Sequence, residues 1–142
     1  MSVEENKARQ RRVYEEVIVK GNLELIPELV APEYVFHNPL GLEAKGPEGF
    51  KQMVTMLRTA FPDIHCTIDD MVGEGDKTAT RATLTMTFKG EMMGIPPTGR
   101  KATISGFLFA KWKDSKEVEA WESIDMLSYY RQLGINPPGG QG

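Results

Sequence analysis

Apolar residues recur at helical spacing through the first half of the chain. Residues 3–20 carry two apolar pairs four positions apart, which predicts an N-terminal helix. A short second helix follows, which Pro27 interrupts and Pro32 ends. The third helix begins at Gly46-Pro47, because proline favours the first helical position, and it ends before residues 61–63. The first half of the chain is therefore predicted to be helical.

The second half of the chain alternates apolar and polar positions, as half-buried strands do. Four segments alternate in this way, with turn-forming residues between them: residues 64–72, 78–88, 103–112 and 118–126. Helices followed by an antiparallel meander predict an α+β fold, with the helices packed on one face of a sheet. A sheet curled over helices leaves a pocket between the two layers, where small ligands commonly bind.

The last predicted strand carries a carboxylate on its apolar face. Strict alternation divides this strand into an apolar set and a polar set: Val118, Ala120, Glu122, Ile124 and Met126 against Glu117, Glu119, Trp121, Ser123 and Asp125. Desolvation raises the pKa of a carboxyl in apolar surroundings, so that it can exchange a proton near neutral pH. Glu122 is therefore a candidate general base. The alternative is that it reaches solvent or pairs with Arg81.

A second candidate cluster follows the second predicted helix. His37 and Asn38 bring two hydrogen-bonding side chains together beside Phe36, and Pro39 biases Asn38 away from helical backbone angles. Either side chain could hold a substrate carbonyl or an enolate oxygen. Both could instead satisfy backbone groups of the loop.

Composition limits the classes of protein to consider. The 142 residues, 40% of them hydrophobic, suit one domain, placed at residues 1–136, with a Pro/Gly tail at 137–142 that we expect to be flexible. The net charge of −3 offers no basic surface for nucleic acid or anionic lipid. No signal peptide or membrane-spanning run is recognisable, so we expect a cytoplasmic protein without membrane attachment.

Cysteine and histidine are too few for several kinds of site. The single cysteine, Cys66, allows no internal disulfide, and with two histidines it makes a dedicated zinc site improbable. Cys66 alternates with Ile64 and Ile68, which indicates a buried thiol of the core. No metal site is predicted.

Several fragments resemble the SnoaL-like polyketide cyclase family. They occur in the order and at the spacing of that family, from about residue 5 to residue 135: Gly46-Pro47-Glu48-Gly49-Phe50, Phe61-Pro62-Asp63, Gly75-Asp76, Gly94-Ile95-Pro96-Pro97-Thr98-Gly99-Arg100, Trp121 with Asp125, and Arg131-Gln132-Leu133-Gly134. The resemblance implies an NTF2-like fold, in which a curved antiparallel sheet wraps around helices to form a cone with a deep pocket.

The resemblance also implies a chemistry. The characterised cyclases of this family close a ring by intramolecular aldol condensation, without a metal or an organic cofactor. Counted back from the Arg131 motif, their catalytic aspartate falls on Glu122, and their pocket asparagine falls on Asn38. We therefore predict Glu122, Asn38 and His37 as catalytic residues. Substrate contacts are predicted for Tyr14, Phe36, Phe50, Met53, Leu108, Trp121 and Asp125.

Other positions depart from the cyclase pattern. Leu108, Gly106 and Phe88 stand where the cyclases carry a histidine, a glutamine and a second histidine. Three functions therefore remain open. The first is a cofactor-independent cyclase or isomerase acting on an enolisable, polyketide-like small molecule, with a hydroxylase-like relative as a variant. The second is non-catalytic binding of an apolar small molecule, and the third is an assembly domain. A homodimer or another homo-oligomer is expected, since NTF2-like folds often associate through the open face of the sheet.

Overall fold

A curved six-stranded sheet forms one layer of the protein. A computed structural model describes residues 2–39 and 43–136. The order of the strands is β2-β1-β6-β5-β4-β3. Their bounds are β1 Val30–His37, β2 Glu43–Lys45, β3 His65–Glu74, β4 Lys77–Thr87, β5 Lys101–Lys113 and β6 Lys116–Ile124. The four strands expected in the second half of the chain are all present.

Helical segments form the second layer and pack on the inner face of the sheet. They are α1 (Val3–Arg12), a π-helical segment (Val13–Val19), a 3-10 turn (Leu23–Leu25), α2 (Ile26–Leu29), α3 (Gly46–Ala60) and α4 (Met126–Leu133). Helices on one face of a sheet confirm the predicted α+β fold class. In the described part of the chain, no helix is long and apolar enough to cross a membrane.

Local hydrogen bonds fix both ends of the N-terminal helical stretch. The Glu5 backbone N–H donates to Ser2 Oγ over 3.0 Å, and the Ser2 backbone N–H donates to Glu5 Oε1 over 3.3 Å. This reciprocal pair is a capping box, which satisfies two amides that have no partner within the helix. At the other end, the Arg58 guanidinium of α3 donates to the carbonyl oxygens of Ile18 and Val19. α3 thereby holds the end of the π-helical segment in place.

The first half of the chain contains two strands that the helical pattern did not predict. β1 pairs with β6 in parallel and with β2 in antiparallel orientation, so the sheet is not a purely antiparallel meander. Because Pro32 is unsuited to a helix interior, the helix ends at Leu29. Tyr34 and Phe36 then alternate into the core of the protein. The segment predicted as a loop around His37 is thus the end of a strand.

A fourth helix follows the last strand and was also not predicted. β6 ends at Ile124, two residues short of the predicted end, and Asp125 is the N-cap of α4. Its Oδ1 accepts a hydrogen bond from the Ser128 backbone N–H over 3.1 Å. Gly134, with φ of +74°, ends α4 in the left-handed conformation that glycine adopts at no steric cost. α4 packs against β5.

Candidate functional site

A cavity of about 200 Å³ lies between the inner face of the sheet and the helices. Most of its lining is apolar, and six of the eight methionines of the chain contribute to it: Met53, Met56, Met86, Met92, Met93 and Met126. Methionine is unbranched and adapts its shape to what it contacts. The cavity therefore suits a small, largely apolar organic molecule.

Glu122 places a carboxyl group in this apolar cavity. It stands opposite Leu108 of β5 in the sheet, and both side chains line the cavity. Loss of solvation raises the pKa of Glu122 to about 7, because burial penalises the charged form. Burial raises the pKa of Tyr14, which also lines the cavity, and the charge of Glu122 raises it further. Near neutral pH, Glu122 can therefore both accept and release a proton.

Glu117 is a second buried carboxyl of the cavity, and strict alternation had placed it on the outer face. Opposite Glu117 lies Trp112, and opposite Glu119 lies Lys111, so Val118 has no partner and forms a β-bulge. One extra residue in a strand reverses the face of the sheet on which the side chains beyond it lie. Glu117 is only 2% exposed, and burial raises its pKa to about 8.

Three polar side chains of the cavity are almost completely buried. Gln10, Tyr34 and Glu117 are at most 2% exposed, and all three line the cavity; we call them the inner polar cluster. Both amide atoms of Gln10, the Tyr34 hydroxyl and Glu117 Oε2 have no hydrogen-bond partner among the described residues. The Tyr34 hydroxyl lies close enough to lower the pKa of Glu117, but falls short of hydrogen-bond geometry.

The structure brings seven of the ten predicted site residues together around the cavity. These are Glu122, Asn38, Tyr14, Phe36, Phe50, Met53 and Leu108. They come from the π-helical segment, α3, β5, β6 and the end of β1. Asn38 follows β1 at the position where the inward alternation of Tyr34 and Phe36 continues.

The other three predicted residues, His37, Trp121 and Asp125, lie outside the cavity. The His37 Nε2–H donates to Glu119 Oε2 over 2.7 Å, and its Nδ1 lies 3.3 Å from Glu43 Oε2. Its ring stacks on that of Trp121 at a centroid distance of 5.4 Å, and Trp121 is 39% exposed. Alternation explains both placements, since His37 follows the inward Phe36 and Trp121 precedes the inward Glu122.

Asp125 lies outside the cavity because the last strand ends one residue before it. β6 ends at Ile124, and the Asp125 carboxylate is occupied as the cap of α4. Its conformation is thus set by the start of a helix and not by the alternation of a strand.

Sequence reasoning missed the inner polar cluster. Gln10 lies four residues before Tyr14, so helical spacing could have placed it on the same face. Tyr34 could have been found had the alternation of β1 been recognised. Glu117 carried no signal, since the bulge that turns it inward depends on the partner strand.

Potential metal ligands are dispersed in the part of the chain that the structure describes, and the cysteine is buried. No group of three or more His, Cys, Asp and Glu side chains within residues 2–39 and 43–136 is arranged to hold a metal ion. Cys66 is buried, and desolvation raises the pKa of its thiol to about 12. A thiol with a raised pKa is a poor nucleophile, which agrees with the core role expected for Cys66.

Solved structures with the same architecture define the class of protein. IdmH from Streptomyces antibioticus, a proposed polyketide cyclase, superposes with a TM-score of 0.78 at 31% identity, over 92% of this chain and 99% of IdmH. AclR from Streptomyces galilaeus, a proposed hydroxylase, gives 0.80 at 27% identity, over 96% of this chain and 85% of AclR. The curved sheet and the helices on its inner face are those of an NTF2-like α+β protein.

Comparison of the sequences then gives the family. The family model for the SnoaL-like polyketide cyclases matches residues 8–133, and the chain belongs to this family. Aklanonic acid methyl ester cyclase DnrD of Streptomyces peucetius is 31% identical over 117 residues, which are 81% of this chain and 78% of DnrD. The family expected from the sequence fragments is therefore confirmed.

Proposed function

We propose that this protein catalyses acid/base chemistry on an enolisable, polyketide-like small molecule, with Glu122 as general base and no organic cofactor. The observation that carries the proposal is the Glu122 carboxyl in an apolar cavity, whose pKa burial raises to about 7. A general base works best when its pKa lies near the working pH. Ring closure by intramolecular aldol condensation and isomerisation through an enol both begin with such a proton transfer.

The proposed reaction starts with Glu122 taking a proton from the carbon beside a carbonyl. The enolate carbon then forms a bond to a second carbonyl carbon of the same molecule, and the π electrons of that carbonyl move to its oxygen. This oxygen takes back the proton held by Glu122, which regenerates the carboxylate. Asn38 and Tyr14 line the cavity and carry hydrogen-bond donors for the oxygen atoms that gain charge. Burial raises the pKa of Tyr14 well above its ordinary value, so its hydroxyl stays protonated. Asn38 and Tyr14 thus have the role that the sequence analysis proposed for His37, namely hydrogen bonding to a substrate oxygen.

Two specific observations favour the alternative of binding without catalysis. Gly106 and Leu108 line the cavity, where the cyclases carry a glutamine and a histidine. The cavity thus lacks two polar groups that take part in the cyclase reaction. The catalytic and the binding-only functions differ in whether Glu122 exchanges a proton with the ligand.

Exchange of substrate protons in D₂O tests the catalytic proposal. Aklanonic acid methyl ester, the substrate named for the relative DnrD, and 1-tetralone, a simple ketone whose α-protons exchange slowly in buffer, serve as probes, with loss of α-proton signal followed by NMR. We expect Glu122→Gln to slow enzyme-catalysed exchange by about 100-fold or more. The rate with the unmodified protein is expected to rise with pH and to reach half its maximum near pH 7, because the carboxylate is the active form.

Glu119→Gln is the matched control, since Glu119 lies on the same strand but contacts His37 outside the cavity. Its exchange rate should stay within about twofold of the unmodified protein, because surface substitutions away from a site have small effects. Binding of either probe without any exchange above the buffer rate would favour the binding-only function. An equal loss of exchange rate in Glu122→Gln and Glu119→Gln would contradict the role of Glu122 as general base.

A further inference from the structure

The inner polar cluster contains more hydrogen-bonding capacity than the protein itself uses. Gln10 and Tyr34 are at most 1% exposed and Glu117 is 2% exposed, yet each keeps at least one side-chain atom without a partner among the described residues. A buried polar atom that is left unpaired destabilises the folded protein. Three such side chains lining one cavity indicate a place where a ligand supplies the missing partners.

The side chains of the inner polar cluster are much less exposed than those at the open side of the cavity. Met56 and Met93, which also line the cavity, are 39% and 54% exposed. Gln10, Tyr34 and Glu117 therefore mark its closed side. Glu122 lies near enough for its charge to raise the pKa of Tyr34, although the charge of Glu117 has the larger effect. A ligand that reaches the cluster therefore passes close to Glu122.

The donors and acceptors of the cluster suit one kind of ligand group. The Tyr34 hydroxyl and the Gln10 amide nitrogen donate, while the Gln10 amide oxygen and Glu117 Oε2 accept. A hydroxyl group can donate and accept at the same time, whereas a ketone can only accept. An anionic group is disfavoured, since the described residues that line the cavity include two glutamates and no lysine, arginine or histidine.

We infer that Gln10, Tyr34 and Glu117 form an inner subsite that binds a neutral hydroxyl group of an otherwise apolar, aromatic ligand. The inference rests on the proposed function in one respect only, namely that this cavity is the substrate site. It assigns a second point of contact with the substrate, besides the reacting carbonyl at Glu122. It also assigns selectivity for hydroxylated ligands to residues other than Glu122.

Three matched, unreactive probes test the inner subsite by equilibrium dialysis: 2-naphthol, 2-methylnaphthalene and 2-naphthoate. The measurement is made at a pH well below that at which Glu117 ionises. We expect the unmodified protein to bind 2-naphthol at least about tenfold more tightly than 2-methylnaphthalene, because sites built around a hydroxyl reject the analogue that lacks it. Binding of 2-naphthoate should be the weakest of the three.

Substitutions in the inner polar cluster test which residues cause the preference for 2-naphthol over 2-methylnaphthalene. Tyr34→Phe and Glu117→Leu are each expected to reduce the preference for 2-naphthol by at least about threefold, since each removes one hydrogen bond to the ligand. Glu119→Leu is the control and should leave the preference within about twofold, because Glu119 lies on the same strand as Glu117 but contacts His37 outside the cavity. If Glu117→Leu does not fold, as judged by circular dichroism, Tyr34→Phe decides the question.

Several results would overturn the inference. Equal affinity of the unmodified protein for 2-naphthol and 2-methylnaphthalene would mean that water, and not ligand, satisfies the inner atoms. A preference that survives Tyr34→Phe and disappears in Glu122→Gln would place the hydroxyl at Glu122. Because the probes do not react, the hydroxyl preference and the proton exchange assigned to Glu122 can fail independently of each other.

Discussion

At the scale of single residues, the cavity holds two desolvated carboxyls in different surroundings. Glu122 is desolvated without a hydrogen-bonding or charged neighbour that contributes to its pKa, which rises to about 7. Glu117 is more deeply buried, and its pKa rises to about 8 although the nearby Tyr34 hydroxyl lowers it. At neutral pH Glu117 is therefore mostly protonated, while Glu122 is divided between its two forms. Proton transfer suits Glu122, and neutral hydrogen bonding suits Glu117.

The raised pKa of Glu117 makes the stability of the protein depend on pH. The folded protein holds the proton more tightly than the unfolded chain, whose glutamates have the ordinary pKa of 4.5. The contribution of Glu117 is thus fully present below about pH 4.5 and is lost as the pH rises through about 8. Above this range, we expect the free energy of unfolding of Glu117→Gln to exceed that of the unmodified protein by on the order of a few kcal/mol. The variant should therefore unfold at a higher urea concentration.

Urea unfolding at several pH values measures this effect. Gln resembles the protonated glutamate in shape and has no charge, so the variant should lose less stability between mildly acidic and alkaline pH. Glu119→Gln serves as control, since Glu119 is half-buried outside the cavity. A parallel loss of stability with pH in the unmodified protein and in Glu117→Gln would contradict the raised pKa.

At the scale of elements, the junction of β6 and α4 determines which side chains reach the cavity. β6 turns Glu122 inward and Trp121 outward, and α4 then contributes Met126, Tyr129 and Tyr130 to the cavity lining. Asp125 joins the two elements as the N-cap of α4. Its side chain has a structural role in the start of the helix, so Asp125 is expected to act on stability and not on ligand contacts.

Removing the cap tests this role. Asp125→Ala should lower the free energy of unfolding by about 1 kcal/mol, because the Ser128 amide loses its acceptor. The affinity for 2-naphthol should change by less than about twofold, since Asp125 lies outside the cavity. Asp125→Asn should retain most of the stability, because asparagine is an equally good N-cap. A large loss of affinity with unchanged stability would instead restore Asp125 as a substrate contact.

At the scale of the whole molecule, the outer face of the sheet exposes a group of aromatic side chains. Phe107, Phe109 and Trp121 on β5 and β6 are 58%, 43% and 39% exposed. Phe109 and Trp121 contact each other edge to face at a centroid distance of 5.8 Å. Neighbouring exposed aromatic rings are typical of interaction surfaces. This surface is where the homodimer expected from the sequence would form.

Light scattering coupled to size-exclusion chromatography tests the association. We expect the mass of a homodimer for the unmodified protein and a shift towards the monomer for Phe109→Glu, which places a charge within the aromatic group and outside the cavity. Val72→Glu is the control, since Val72 is 59% exposed on β3, two strands away from β5. A monomer of unmodified protein at micromolar concentration would contradict the expectation.

The sequence alone determined the α+β class, four of the six strands and the inward facing of Glu122. These features follow from local periodicity and from family fragments, which a single chain displays without knowledge of its partners. The domain boundary at residue 136 stays a prediction, because the predicted tail at 137–142 lies outside the described residues.

Only the tertiary structure decided that His37 faces outward and that Glu117 faces the cavity. β1 is a strand because β6 and β2 pair with it, and Glu117 turns inward because β5 leaves Val118 without a partner. Strand pairing and bulges depend on residues far away in the chain, so alternation within one segment cannot reveal them. The inner polar cluster exists for the same reason, since α1, β1 and β6 bring Gln10, Tyr34 and Glu117 to one cavity.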